Sequence, residues 1–175
     1  GSAVYAWDGN DTVVGGKGND IIIGDNGNDK LYGGAGNDTV CGGDGEDYLE
    51  GGTGNDLIEA GKGNGGVCGG EGSETISGDE GNDLIFCGKG DDVIYAGADS
   101  DTVVGGEGND FITGDTGNDL IYGGNGNDSI YGGDGSDVIY GGDGNNIVGG
   151  DEGDDCIYTG TGNDLVYGGT GNDII

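Results

Sequence analysis

The sequence predicts an all-β solenoid made of eighteen-residue coils, two nonapeptide units to the coil. Three observations lead there. An acidic residue recurs at every ninth place from Asp11 to Asp173, and sixteen of these nineteen places are Asp, the exceptions being Gly65, Glu74 and Asn146. Two residues after each stands an aliphatic, from Val13, Ile22 and Leu31 through to Ile175, with Val4 one step earlier. Glycine supplies 50 of the 175 residues and proline none, so backbone shape is specified turn by turn.

With the recurrent acid numbered sixth, positions one and two are mostly Gly-Gly, and position four is Gly in eighteen of nineteen units, Asp99 being the exception. Position five is usually Asn, as in Gly18-Asn19-Asp20 and Gly162-Asn163-Asp164. Gly and Asn tolerate positive φ, so positions one to six are expected to form a tight turn. Positions seven to nine favour Val, Ile, Leu, Thr and Tyr, which reads as a three-residue strand. Turn and strand together reverse the chain, so two units close a coil. Strands then stack into two facing parallel sheets with every position-eight aliphatic directed inward. About ten strands per sheet at a spacing of about 4.8 Å give a body roughly 45 Å long.

Charge narrows the chemistry. Asp and Glu number 35 against four Lys and no Arg, a formal net charge of −31. Only two Phe and one Trp are present, so the core is a thin aliphatic seam shared by neighbouring repeats. Such a chain repels itself and is expected to be disordered in plain water. It lacks the basic patch that nucleic acid or an anionic membrane surface requires. No twenty-residue apolar run is present, which excludes a membrane-inserted helix. Divalent cations are the remedy. One per repeat, roughly 15 to 17 ions, would come close to cancelling the formal charge.

Calcium takes six to eight oxygens from carboxylates and backbone carbonyls. One turn cannot surround it, whereas two turns a coil apart can, each giving an Asp carboxylate and carbonyls from its glycine-rich part. A site thus pairs Asp20 with Asp38, or Asp119 with Asp137. The expected metal ligands are Asp11, Asp20, Asp29, Asp38, Asp47, Asp56, Asp83, Asp92, Asp101, Asp110, Asp119, Asp128, Asp137, Asp155, Asp164 and Asp173. Asp29, Asp47, Asp83 and Asp101 fall along one edge, and Asp20, Asp38, Asp56 and Asp92 along the other.

The unit G-G-x-G-x-D-x-U-x, with U aliphatic, resembles the repeats-in-toxin (RTX) nonapeptide from Asp8 through Ile175. The resemblance implies a right-handed parallel β-roll holding calcium in its turns. It also implies a bacterial origin, export by type I secretion, and a secreted or cell-surface parent such as a toxin, lipase, metalloprotease or adhesin. Gly1-Ser2 reads as a cloning remnant and residues 3–175 as a single roll of about 19–20 repeats, cut from a longer protein.

Departures from the repeat carry their own expectations. Gly65 and Glu74 fall in consecutive units on opposite edges, so pairings 47/65, 65/83, 56/74 and 74/92 should be weak, giving a soft belt near residues 60–77. Asn146 similarly weakens 128/146 and 146/164. Asp25, Asp79, Asp115 and Asp151 replace the second glycine on one edge and read as solvated variants, the alternative being added or peripheral calcium ligands. Tyr122, Tyr140 and Tyr158 should stack on one sheet beside Leu120, Val138, Cys156 and Ile174, either as a stabilising ladder or as a docking face. Both ends lack a polar cap, which invites self-association. Cys41, Cys68, Cys87 and Cys156 follow no metal spacing. Cys68 and Cys87 lie on adjacent coils, but strand parity directs one outward and the other inward, which disfavours a disulfide.

Catalysis is not expected. The chain has no His or Arg, and its carboxylates form uniform rows rather than a distinct pair. The leading expectation is a calcium-binding module that folds on binding the ion and supports secretion and stability of a larger protein. The alternative is an adhesive or polysaccharide-recognising surface, or an ice-binding one. For ice the Thr pattern is poor, because Thr53, Thr116, Thr161 and Thr170 are scattered among Lys, Asp, Glu and Ala.

Overall fold

Successive units feed alternate sheets. In the computed structural model, which describes Gly1–Ile175, odd-numbered strands from Ala3–Tyr5 and Ile21–Asn26 to Leu165–Thr170 form a ten-stranded sheet. Even-numbered strands from Thr12–Lys17 and Lys30–Ala35 to Cys156–Tyr158 form a nine-stranded one. Every pairing is parallel and offset by eighteen residues, as in Ile22 opposite Val40 and Ile121 opposite Ile139. No helix interrupts the coils.

The strands are longer than the sequence reading anticipates. All but the first and eighteenth run six residues, from position seven of one unit to position three of the next, as Thr12–Lys17 does. The turn shrinks to positions four to six, Gly18-Asn19-Asp20 in that unit. Position one stays extended because its inward side is occupied by the interior rather than by a bend. Positive φ is confined mainly to positions two and four, as at Gly34 (φ 111°) and Gly36 (φ 132°), and no Asn adopts it. Position four cannot carry a side chain without strain, since a Cβ on Gly126 would overlap the carbonyl oxygen of Gly108 one coil back.

The position-five Asn therefore serves a purpose other than bending the chain. Its side-chain oxygen accepts the amide of the equivalent residue one coil on: Asn37 N–H donates to Asn19 Oδ1 at 3.0 Å and Asn127 N–H to Asn109 Oδ1 at 2.8 Å. Ser100 and Ser136 continue the ladder with hydroxyls.

Nineteen residues make the core, and sixteen of them are the position-eight column from Ile22 to Ile157. Full burial of such a side chain contributes about 1.5–3 kcal/mol. The other three, Ala60, Cys87 and Ala96, occupy position one, so that position also faces inward. Asp99 is a local cost in the stack, the one residue other than glycine at position four. It holds φ 81° at position four, the Gly81 amide reaches Ala98 O only at 3.2 Å, and the Asp99 amide has no counterpart to the bond that Gly108 makes with Asn125 O at 2.9 Å.

Candidate metal sites in the turns

Each position-six acid ends a turn and points into the gap between coils. In the Asp-to-Asp steps of the row, Oδ1 accepts the amide of the acid one coil back. On one edge Asp83 N–H donates to Asp101 Oδ1 at 2.7 Å, Asp101 N–H to Asp119 at 2.8 Å and Asp119 N–H to Asp137 at 2.8 Å. On the other, Asp20 N–H donates to Asp38 and Asp38 N–H to Asp56, both at 2.7 Å. One carboxylate oxygen is thus consumed in joining coils, and the two rows are those expected from the sequence.

The second oxygen has no partner. Oδ2 of Asp20, Asp29, Asp38, Asp47, Asp56, Asp83, Asp92, Asp101, Asp110, Asp119, Asp128, Asp137 and Asp155 is buried and accepts no hydrogen bond. All thirteen of these residues are at most 3% exposed. A buried, unpaired carboxylate oxygen costs several kcal/mol unless it is protonated or meets a cation. Burial accordingly pushes the carboxyls of Asp101, Asp110 and Asp119 up to about 7, and those of Asp83 and Asp137 to about 6; the amide each accepts pulls the other way. The neighbouring acids in the row raise them further.

Carbonyl oxygens converge on the same space. A Cβ on Gly33 would lie 2.6 Å from both Asp38 Oδ2 and the carbonyl oxygen of Gly51, and one on Gly105 would lie 2.6 Å from both Asp110 Oδ2 and Gly123 O. Position one is glycine so that a carboxylate and the carbonyl of the next coil can share that space. Hard oxygen donors, anionic and neutral, gathered around orphaned carboxylates are the donor set calcium takes. These residues fit that ion, and calcium would supply the positive charge that joins one coil to the next.

The departures from the repeat leave the strand pairing intact. The sheet register runs unbroken through residues 60–77, with Gly66–Glu71 paired on both sides. What changes is the oxygen supply. Gly65 offers no carboxylate to the Asp47 amide, and both Glu74 side-chain oxygens are buried without a partner. Ala60 fills part of the space left by Gly65, since a Cβ on Gly65 would lie 3.0 Å from Ala60 Cβ. Asn146 keeps the ladder, accepting the Asp128 amide at 2.9 Å, but its Nδ2 is an unpaired donor where the others present an acceptor. Asp11, Asp164 and Asp173 lie in the outermost coils and are only half-buried.

The remaining candidates resolve as follows. Asp25, Asp79, Asp115 and Asp151 are exposed and hold φ between 68° and 84°, so they are solvated occupants of the second glycine position. Tyr122, Tyr140 and Tyr158 stack outside one sheet with ring centroids 4.8 and 4.9 Å apart. All four cysteines are free. Cys87 is buried, while Cys68 faces outward with its Sγ 3.7 Å from the Tyr48 hydroxyl, the opposite orientations that parity predicts. Parity sends one of this pair inward, but the sequence does not show that the inward face of position one lies against the row of acids, where Cys87 sits. Ala60, Cys87 and Ala96, with Ala6 and Thr159 nearer the ends, are the residues other than glycine at that position.

A family model described as the RTX calcium-binding nonapeptide repeat (4 copies) matches overlapping segments at residues 8–40, 42–65, 69–103, 95–130, 104–139, 113–148, 122–155 and 140–175. No curated protein is significantly similar to the chain.

Proposed function

The chain belongs to the RTX calcium-binding nonapeptide repeat family, and from that premise we propose that it is a calcium-triggered folding module within a larger secreted or cell-surface bacterial protein. The observation that carries this reading is the double row of buried carboxylates with one oxygen each left unpaired. Calcium-free, the rows oppose stacking and the net charge of −31 keeps the chain expanded. With calcium, each ion is shared by two turns one coil apart, and its binding free energy becomes folding free energy because no site exists in the disordered chain. The ligands are the sixteen position-six aspartates from Asp11 to Asp173, with the rungs at Gly65, Glu74 and Asn146 depleted. Residues 3–175 act as one roll. An expanded chain suits passage through an export channel, and folding in calcium outside the cell then favours completed export and nucleates the parent protein. Catalysis, where the parent has any, resides elsewhere.

The test is far-ultraviolet circular dichroism in EDTA and after addition of calcium. A disordered spectrum turning to β is expected; a β spectrum in both conditions refutes the trigger. A second reading, self-association through the outer face, rests on the stack of exposed Tyr122 and Tyr158 with half-buried Tyr140 between them. It predicts a calcium-dependent dimer by sedimentation that Tyr140→Ser disperses, and a monomer at all concentrations rules it out.

A further inference from the structure

One rung of the ladder departs from the all-oxygen pattern. Cys87 occupies position one of the unit whose position six is Asp92, and Glu74 is the position-six acid one coil earlier. One ligand atom from each, the Cys87 Sγ and a carboxylate oxygen from Glu74 and Asp92, lies within 4.8 Å of the others, and all three residues are buried. Asp92 Oδ1 is occupied by the Glu74 amide at 2.8 Å. Asp92 Oδ2 and both Glu74 side-chain oxygens have no partner, in residues only 1% exposed.

Filling space does not account for this arrangement. Ala60 and Ala96 show that an apolar methyl is accepted at position one. Exchanging alanine for a thiol adds nothing to that packing beyond a sulfur, and it leaves the two Glu74 oxygens as orphaned as before. What the exchange does alter is the donor set, from oxygens alone to one sulfur and two carboxylates. Calcium takes oxygen ligands, whereas thiolate with carboxylate suits zinc and its heavier congener cadmium.

We propose that Glu74, Cys87 and Asp92 form a thiolate-containing site for a zinc-class divalent cation, which replaces calcium at this rung. On binding, the cation takes the thiolate sulfur and the Cys87 thiol proton leaves to solvent, so affinity rises with pH. The dication then sits among three anionic ligands in place of the unpaired buried acids. The roll carries, within a row of hard sites, one soft site that a different metal selects. This inference does not depend on calcium occupying the other rungs.

The experiment uses the full chain with Cys41, Cys68 and Cys156 changed to Ser, leaving Cys87 as the one thiol. The chain is stripped with EDTA, then returned to calcium with cadmium titrated in, and sulfur-to-cadmium charge-transfer absorption is read. The expected result is a band saturating at one equivalent and bleached by zinc in competition. It should be absent in Cys87→Ala, a residue the same position accepts at 60 and 96, and the Glu74→Gln chain should need at least about tenfold more cadmium for the same band. No band with Cys87 present, or an equal band in Cys87→Ala, overturns the proposal. Circular dichroism recorded before cadmium is added reports the calcium-triggered folding separately, so failure of that reading leaves the thiolate band legible.

Discussion

Changing Asp119 to Asn should reverse its effect on stability according to whether calcium is present. Asp119 is 2% exposed; its Oδ1 accepts the Asp101 amide and its own amide donates to Asp137 Oδ1, both at 2.8 Å. Asn preserves this ladder, as Asn146 does in accepting the Asp128 amide at 2.9 Å. Shape and hydrogen bond persist; the charge does not. In the metal-free roll, burial lifts the Asp119 carboxyl from 3.8 to about 7. Because the folded value is raised, the folded state binds the extra proton, and stability is lost as pH climbs from about 4 through 7. A rise of that size corresponds to about 4 kcal/mol, and relaxation and water penetration reduce this to about 1–2 kcal/mol. Asp119→Asn should therefore stabilise the metal-free roll by about 1–2 kcal/mol at pH 8 and by about zero at pH 4. In calcium the same change removes a ligand that serves the 101/119 and 119/137 pairs and should cost about 3 kcal/mol. The assay is circular dichroism, with an excluded osmolyte driving folding in EDTA and urea driving unfolding in calcium. A shift of the same sign in both media refutes the argument, because it would mean that the carboxylate acts only through its hydrogen bond.

The same sign applies to both rows. Without calcium, lowering the pH from 8 to 4 should favour the β spectrum as Asp83, Asp101, Asp110, Asp119 and Asp137 take up protons, and a spectrum that becomes less ordered over that range contradicts the direction of their shifts. Restoring the missing rung with Ala60→Gly and Gly65→Asp together should raise the number of bound calcium ions by one or two, counted by equilibrium dialysis; an unchanged count means that Asp47 and Asp83 do not share ions with that turn. Asp99→Gly should relieve the strain at φ 81° and stabilise the calcium-loaded chain by about 1 kcal/mol in urea, whereas destabilisation would show that the Asp99 side chain contributes more than its backbone costs.

Much of this was legible in the sequence because a nine-residue period aligns identical chemistry. Once Asp119 and Ile121 recur at the same interval in every unit, the first must line an edge and the second the interior, and both do. The limits of the strands were not legible. Glycine at positions one and two resembles a turn in any local reading, yet the parallel ladder carries Gly124 into register with Gly106 and Gly142, so pairing overrides local preference. Asn at position five suggests a positive-φ residue for the same local reason, whereas Asn37 and Asn127 keep negative φ and Asn19 and Asn109 serve as side-chain acceptors between coils. Compensation was hidden as well. Ala60 and Gly65 depart from the repeat in one unit, but only the 3.0 Å approach shows that the two departures share one space. The setting of Cys87 required knowing that position one faces the acids.

The most direct test of the central claim is the anomalous difference map of a crystal grown in ample calcium. The account predicts peaks beside the unpaired Oδ2 atoms along both edges, between Asp20 and Asp38 and between Asp119 and Asp137, and weak or missing ones next to Gly65. Fully formed coils whose acidic rows hold no ion would contradict it.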